Sequence, residues 1–209
     1  MRGAASINAG LRHIPVWPLY VAGAGYVVFS FVHAAQGGLG PDPVKALEHR
    51  FGLLGLQLLV LTLMVTPLRR FTGISLLRFR RALGLLAFGG ILVHLMIWAV
   101  LDVQLLLDEI ATDLLERPYI TIGMLGFLGM VPLALTSSDR ALRRLGPQAW
   151  RRLHRLTYLA ALAGAVHYLM LVKAWPLEPL LYLGAILGLL ILRWPGAARR
   201  AAGPAGRAR

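Results

Sequence analysis

Two histidines, His94 and His167, lie deep inside two different apolar segments of the chain. An ionisable side chain in a bilayer is costly and usually serves a function. His94 follows the basic residue Arg81 by thirteen positions, and His167 follows Arg152 by fifteen. At about 1.5 Å per residue, both imidazoles lie roughly 20–22 Å from the same membrane face. Two imidazoles at one depth on two helices are suited to the two axial positions of a haem iron.

Small residues precede both histidines by about one helical turn. Gly89 and Gly90 come before His94, and Ala163 and Gly164 come before His167. Such positions leave room for the edge of a porphyrin beside the helix backbone. A second interpretation stays open, because small residues also let membrane helices pack closely and a single intramembrane histidine can bond a neighbouring helix.

A third histidine, His154, lies at the basic edge of its segment, thirteen residues before His167. That separation is about 20 Å along a helix and would suit a second haem. The segment that contains His94 has no histidine at this level, so contacts to a haem propionate or a flavin and an ordinary interfacial role are also open. Arg80 and Arg81 are candidates for binding propionates or a flavin phosphate, besides holding their loop near anionic lipid.

The remaining histidines stand at the ends of apolar segments, where a solvated or interfacial role is expected. His49 is the exception that we keep as a candidate site residue. It lies beside Glu48 at the mouth of the second apolar segment and would serve a partner surface or a proton path.

The composition is that of an integral membrane protein. Of the 209 residues, 57% are hydrophobic and only 15% are charged, whereas soluble domains carry about 25% charged residues. The chain has no cysteine, which excludes disulfides, thiolate zinc sites, iron–sulfur clusters and cysteine catalysis. The net charge of +13 does not indicate nucleic acid as a partner, because the arginines cluster in short loops between apolar segments.

Hydropathy predicts an all-α bundle of six transmembrane helices in the lipid bilayer. The predicted segments are 16–35, 51–68, 82–101, 119–135, 153–172 and 177–192. They form one domain over residues 16–194. Residues 1–15 are a predicted N-terminal extension, and the Arg-, Ala-, Gly- and Pro-rich residues 195–209 a predicted disordered basic tail.

The charges of the loops predict the orientation. The segments 69–81, 140–152 and 193–209 are strongly basic, whereas 102–117 holds five acidic residues against one arginine. The positive-inside rule therefore places both termini in the cytoplasm. The acidic segment and the Gly/Pro-rich segment 37–43 then face the opposite side, and His94 and His167 lie in the outer half of the membrane.

Several motifs resemble those of one known family, the haem-binding membrane subunits of bacterial periplasmic protein-methionine-sulfoxide reductase systems (the MsrQ/YedZ family). The residues that carry the resemblance are 37–45, 66–68, 80–85, 117–123, 135–137 and 150–158, with His94, His167 and Tyr168. Together they extend over most of the chain, from about residue 37 to residue 194. The family is similar to the transmembrane domain of ferric reductases and NADPH oxidases.

The resemblance implies a b-type cytochrome of the bacterial inner membrane. It implies haem b, with one haem or two, and FMN as cofactors, and His94, His154 and His167 as the matching haem histidines. Electrons would come from the quinone pool and pass to a periplasmic molybdopterin-containing subunit that reduces methionine sulfoxide in oxidised proteins. The catalytic residues would belong to that partner, and none is predicted in this chain.

Two alternatives accompany this prediction. A complete ferric-reductase architecture needs a flavin domain, which would here be a separate cytoplasmic flavin reductase. A haem-free transporter or scaffold would use the intramembrane histidines for protons or metal ions. The predicted segments contain no buried acid and no inverted repeat, which disfavours the transporter.

Overall fold

The computed structural model describes residues 2–172 and 176–193, and every regular element in these ranges is helical. The α-helices are α1 (Arg2–His13), α2 (Trp17–Ala35), α3 (Pro43–Thr72), α4 (Arg80–Met96), α5 (Leu107–Glu116), α6 (Pro118–Leu135), α7 (Asp139–Leu153), α8 (Leu156–Leu171) and α9 (Leu177–Arg193). A 3₁₀ turn (Leu77–Phe79) precedes α4 and a π-helix (Ile97–Asp102) follows it. The predicted disordered tail, 195–209, lies outside the described residues.

Four helical segments are long and apolar enough to cross a membrane: α2, α3, the continuous run Leu77–Asp102 and α6. The other two predicted segments correspond to α8 and α9, with 16 and 17 residues. These helices are about 24–26 Å long, somewhat less than a hydrocarbon core of about 30 Å. The all-helical membrane architecture is confirmed. The count of six crossings and the side on which the termini lie stay predictions.

Helix α3 begins eight residues before the apolar segment predicted for it. Asp42 caps its N-terminus by accepting a hydrogen bond from the Lys45 N–H, at 3.0 Å, and Pro43 occupies the first turn. Both residues favour a helix start. As a result Glu48 and His49 lie on a rigid helix rather than in a loop.

Small residues allow the helices around the site to approach closely. In α4, a Cβ on Gly90 would lie 3.6 Å from the backbone of Phe51 in α3. In α6, a Cβ on Gly126 would lie 3.1 Å from the Cβ of Ala163 in α8. Close packing of this kind replaces hydrophobic burial as a source of helix association in lipid. It fixes α3 against α4 and α6 against α8, the two pairs that build the site.

The charged connections contain helices that hydropathy did not predict. Acidic α5 lies within 102–117, and basic α7 is capped by Ser138, whose side chain accepts a hydrogen bond from the Ala141 N–H. Both helices are amphipathic, and their apolar stripes are narrow. A hydropathy window that averages over all faces of a helix therefore does not detect them. Helix α7 is broken at Gly146, whose φ of 75° is accessible to glycine, and resumes at Pro147.

Candidate functional site

His94 on α4 and His167 on α8 face each other inside the bundle. Their ring centroids are 6.2 Å apart, and their planes are inclined by 78°. Both rings line one cavity of about 510 Å³ between α3, α4, α6 and α8. The structure therefore brings together the two histidines that the sequence predicted to lie at one depth.

The two imidazoles are held in the same way. The Nδ1 atom of His94 lies 2.8 Å from the carbonyl oxygen of Glu48, and that of His167 lies 2.7 Å from the carbonyl oxygen of Tyr119. A carbonyl can only accept, so each Nδ1 carries the proton and donates it. In a neutral imidazole this leaves the Nε2 lone pair available for a metal ion, which is the usual arrangement of metal-binding histidines.

A glycine stands four residues after each of these carbonyls. A Cβ on Gly52 would lie 3.2 Å from the Nδ1 atom of His94, and a Cβ on Gly123 would lie 2.7 Å from the Nδ1 atom of His167. Each glycine therefore leaves the space in which a ring reaches the carbonyl one turn earlier. We refer to Glu48 with Gly52, and to Tyr119 with Gly123, as the two carbonyl–glycine pairs.

The dimensions of the site fit a haem held by two histidines. The centroid separation of 6.2 Å leaves room between the rings for one metal ion with two nitrogen bonds of about 2.0 Å. The cavity volume lies within the range of about 300–1,000 Å³ typical of cofactor sites. Apolar side chains and backbone line most of it, including Leu56, Ile91, Phe127, Met130, Ala160 and Gly164.

Charged side chains surround one end of the cavity. Lys45 forms ion pairs with Glu48, at 3.3 Å, and with Asp102, at 2.5 Å. Asp113 is buried and is held by Arg117, at 3.2 Å, and by the indole N–H of Trp98, at 3.3 Å. These pairs lie at the acidic face of the bundle. The cavity thus extends from the deep histidines to this face.

His49 also lines the cavity, beside the first carbonyl–glycine pair. Its ring centroid lies 5.7 Å from that of Tyr168, the residue that follows His167. It is thus a neighbour of the histidine pair, and its predicted role in a partner surface or a proton path stays open. Glu48 places an acidic side chain on the same wall of the cavity. The predicted apolar segment, 51–68, did not include this residue.

His154 occupies a different environment, at the junction of α7 and α8. Its ring stacks on Trp150 with a centroid distance of 3.7 Å, and its Nε2 atom lies 3.2 Å from the Thr136 hydroxyl. That hydroxyl donates to the carbonyl of Pro132, at 2.6 Å. His154 Nε2–H is therefore the donor to Thr136. His154 does not line the cavity that contains His94 and His167.

The two candidate arginines also lie away from that cavity. Arg81 pairs with Asp139 at 2.6 Å on the surface, and this guanidinium lowers the pKa of the Asp139 carboxyl. Arg80 is half-buried and lines a second pocket together with Arg193. Neither arginine lines the histidine cavity, and their predicted contacts to haem propionates or to a flavin phosphate stay predictions.

Comparison with known proteins identifies the family. A family model described as "Ferric reductase like transmembrane component" matches residues 51–165. A protein of Brucella anthropi called "Protein-methionine-sulfoxide reductase heme-binding subunit MsrQ" is 49% identical over 178 residues, which cover 85% of this chain and 80% of the relative. Proteins of the same name from Brucella ovis and Brucella abortus are 51% identical, with the same coverage.

The chain belongs to the MsrQ family. Its resemblance to the ferric reductase transmembrane domain is confirmed as well. The region matched by the family model contains Gly52, His94 and Gly123, and it ends two residues before His167. Membership in this family makes the chain a membrane redox subunit. Any more detailed function has to be argued from the geometry of the site.

Sequence reasoning had missed both carbonyl–glycine pairs. Glu48 and Tyr119 contribute backbone oxygens, which any residue could supply, and Gly52 and Gly123 resemble ordinary packing glycines. One signal was present: Gly52 lies one residue and Gly123 four residues after the start of a predicted apolar segment, near the level of the histidine on the neighbouring helix. Only knowledge of which helices are neighbours would have made it specific.

Proposed function

We propose that the chain is a b-type cytochrome subunit in which His94 and His167 are the axial ligands of a haem. The observation that carries this proposal is the matched pair of imidazoles, each with Nδ1 bound to a helix carbonyl and Nε2 free, across a cavity of about 510 Å³. The bound haem supplies one-electron redox chemistry, and the name of the relatives, heme-binding subunit, supports the same cofactor.

The residues of the chain orient and insulate this group. The carbonyls of Glu48 and Tyr119 fix the ring orientation and make each imidazole a better donor to the metal. The apolar wall excludes water, which favours electron transfer over side reactions. The charged end, with Lys45, Asp102 and Arg117, offers a hydrophilic exit next to the deep site.

Electrons leave by this exit toward a methionine-sulfoxide reductase, the enzyme that the name of the relatives mentions. In our proposal this partner is periplasmic and contains molybdopterin. Asp108 and Glu109 are exposed on α5, whose Asp113 is held by the cavity-lining Trp98 and Arg117, and they provide a docking surface. The quinone pool, or a cytoplasmic flavin reductase, supplies the electrons from the basic face, with FMN as an intermediate carrier. The protein resides in the bacterial inner membrane.

The test is the visible spectrum of the purified protein. The wild-type protein should show the spectrum of a low-spin haem with two imidazole ligands. His94→Ala and His167→Ala should each abolish it, since one imidazole alone leaves an open position on the metal. His33→Ala is the matched control, because His33 stacks on Phe29 outside the cavity and should keep the full spectrum.

Two results would contradict the proposal. A colourless wild-type protein, prepared with haem available, would favour a haem-free transporter or scaffold. An unchanged spectrum in both His94→Ala and His167→Ala would show that the haem binds elsewhere.

A further inference from the structure

A second pocket, of about 300 Å³, lies at the basic end of the bundle. We call it the arginine pocket. It is formed by the end of α3, the start of α4, the start of α8 and the end of α9, and its lining residues are Thr66, Pro67, Arg70, Arg80, Tyr158, Leu192 and Arg193. It shares no lining residue with the histidine cavity.

Three guanidinium groups meet in this pocket without an acidic partner. The chain has nine Asp and Glu residues, and all of them lie in the described ranges. Their four ion pairs involve Lys45, Arg81 and Arg117, and none involves Arg70, Arg80 or Arg193. Arg80 is half-buried and is repelled by the charge of Arg193. Such a cluster is costly in low dielectric unless an anion joins it.

Arg193 is fixed by the protein itself. Its Nε atom donates to the carbonyl of Leu63, at 3.1 Å, and its Nη1 atom donates to the hydroxyl of Tyr158, at 3.2 Å. Leu63 needs this donor because Pro67, four residues later, has no N–H to continue the helix ladder. The Tyr158 hydroxyl, having accepted from Arg193, keeps its own proton to donate.

The N–H groups that are available to bind a ligand therefore come from the other two arginines of the pocket, Arg70 and Arg80. In the described part of the chain, Arg80 has no hydrogen bond from its guanidinium, and Arg70 uses only one N–H, toward the carbonyl of Leu192 at 3.3 Å. With the Thr66 and Tyr158 hydroxyls, they form a set of hydrogen-bond donors that carries positive charge.

We propose that the arginine pocket binds the phosphate group of an anionic phosphate ester at the basic membrane face. Guanidinium groups match phosphate oxygens in pairs, and basic pockets between helices on the cytoplasmic side are known sites for phosphate head groups. The pocket has about ten times the volume of one water, which leaves room for a substituent on the phosphate. This site is independent of the haem proposed for the other cavity.

Two sources carry this chemistry, a phospholipid head group and a soluble phosphomonoester. For the first, detergent-purified protein is titrated with short-chain phosphatidylglycerol or phosphatidylcholine. For the second, it is titrated with FMN or riboflavin, which differ by the phosphate. The melting temperature of the protein reports binding in each titration. The phosphate-bearing or anionic member of at least one pair should stabilise the protein more strongly.

The variants locate the site. Arg80→Gln should weaken the preferred ligand about tenfold or more, since one charged donor is lost, and Arg80→Lys should weaken it less. Arg69→Gln is the matched control, because Arg69 carries the same charge next to Arg70 but does not line the pocket. It should change the affinity by less than about twofold.

Each outcome has a defined meaning. A preference for phosphatidylglycerol that depends on Arg80 assigns the pocket to lipid, and a preference for FMN over riboflavin that depends on Arg80 assigns it to a phosphomonoester. The proposal is overturned if neither anionic ligand binds preferentially, or if Arg80→Gln and Arg69→Gln bind equally well. Haem content is measured in every variant and should not change, which separates this test from that of the histidine pair.

Discussion

The histidines at the two ends of the bundle use opposite ring nitrogens for their hydrogen bonds. His94 and His167 donate from Nδ1 to helix carbonyls, and both rings line the cavity. His154 donates from Nε2 to Thr136 and stacks on Trp150. The ring nitrogen that forms the hydrogen bond thus distinguishes the two histidines suited to bind a metal ion from the one that joins helices.

The largest effect should come from the glycines behind the ligand rings. Gly123→Ala places a methyl group 2.7 Å from the Nδ1 atom of His167, so the ring must move off the Tyr119 carbonyl. We expect most of the haem to be lost, with a cost of about 1–3 kcal/mol in stability. Gly52→Ala, with a distance of 3.2 Å, should lose less. Visible spectra and melting curves measure both.

Gly89→Ala is the control for these variants. It lies in the same helix as His94, and a Cβ there meets no atom within 4 Å. It should retain the full haem spectrum and gain slightly in helix propensity. Equal haem loss in the three glycine variants would show that the spectrum reports general helix packing rather than the carbonyl–glycine pairs.

The next largest effect on stability should come from replacing Arg193 at the basic end of the bundle. Arg193→Ala removes the donor to the Leu63 carbonyl and should cost about 1–3 kcal/mol, because Pro67 cannot replace it. In a Pro67→Ala background the cost should be smaller, since residue 67 then supplies an N–H. A double-mutant cycle of unfolding free energies measures the coupling. Strictly additive effects would contradict this role of Arg193.

A smaller effect is expected for His154. His154→Ala should keep the haem content per chain and lose about 1 kcal/mol of stability with the hydrogen bond to Thr136. His154→Gln, which keeps a donor but no imidazole, should recover part of that loss. Haem quantification decides the matter: a fall in haem per chain in both variants would make His154 a ligand like His94 and His167.

The smallest effect should come from the surface pair of Arg81 and Asp139. The guanidinium lowers the pKa of the Asp139 carboxyl, so the pair stabilises the fold above the ordinary pKa of aspartate and loses this contribution as the pH falls through the lowered pKa. Asp139→Asn should therefore be slightly less stable than wild type, by the same amount at about pH 7 and about pH 5. Melting curves that converge only in stronger acid would agree, and a difference that vanishes near pH 6 would not.

Some features of the fold and of the candidate site could be predicted from the sequence, and others could not. The matched depth of His94 and His167 followed from counting residues along helices, which needs only the helical rise. The helical membrane architecture followed from apolar runs in the same way. These predictions depend on local composition, where one sequence carries enough information.

The features that could not be predicted depend on contacts between helices. Glu48 and Tyr119 act through their carbonyls, and the value of Gly52 and Gly123 depends on which ring lies opposite. The surroundings of His154 likewise depend on how α6 ends beside α7. Helices α5 and α7 were not predicted for another reason. Hydropathy averaged over all residues of an amphipathic helix is lowered by the charged face, so a narrow apolar stripe is not detected.

The inclination of 78° between the rings of His94 and His167 would have a magnetic consequence for the haem that we propose. In a low-spin ferric haem, nearly perpendicular imidazole planes leave two iron d orbitals close in energy, whereas parallel planes separate them. The unpaired electron then keeps much of its orbital angular momentum, and the electron paramagnetic resonance spectrum becomes strongly anisotropic. Because helix carbonyls set the ring planes, the packing of α3 against α4 and of α6 against α8 would be recorded in the electronic state of the proposed haem iron.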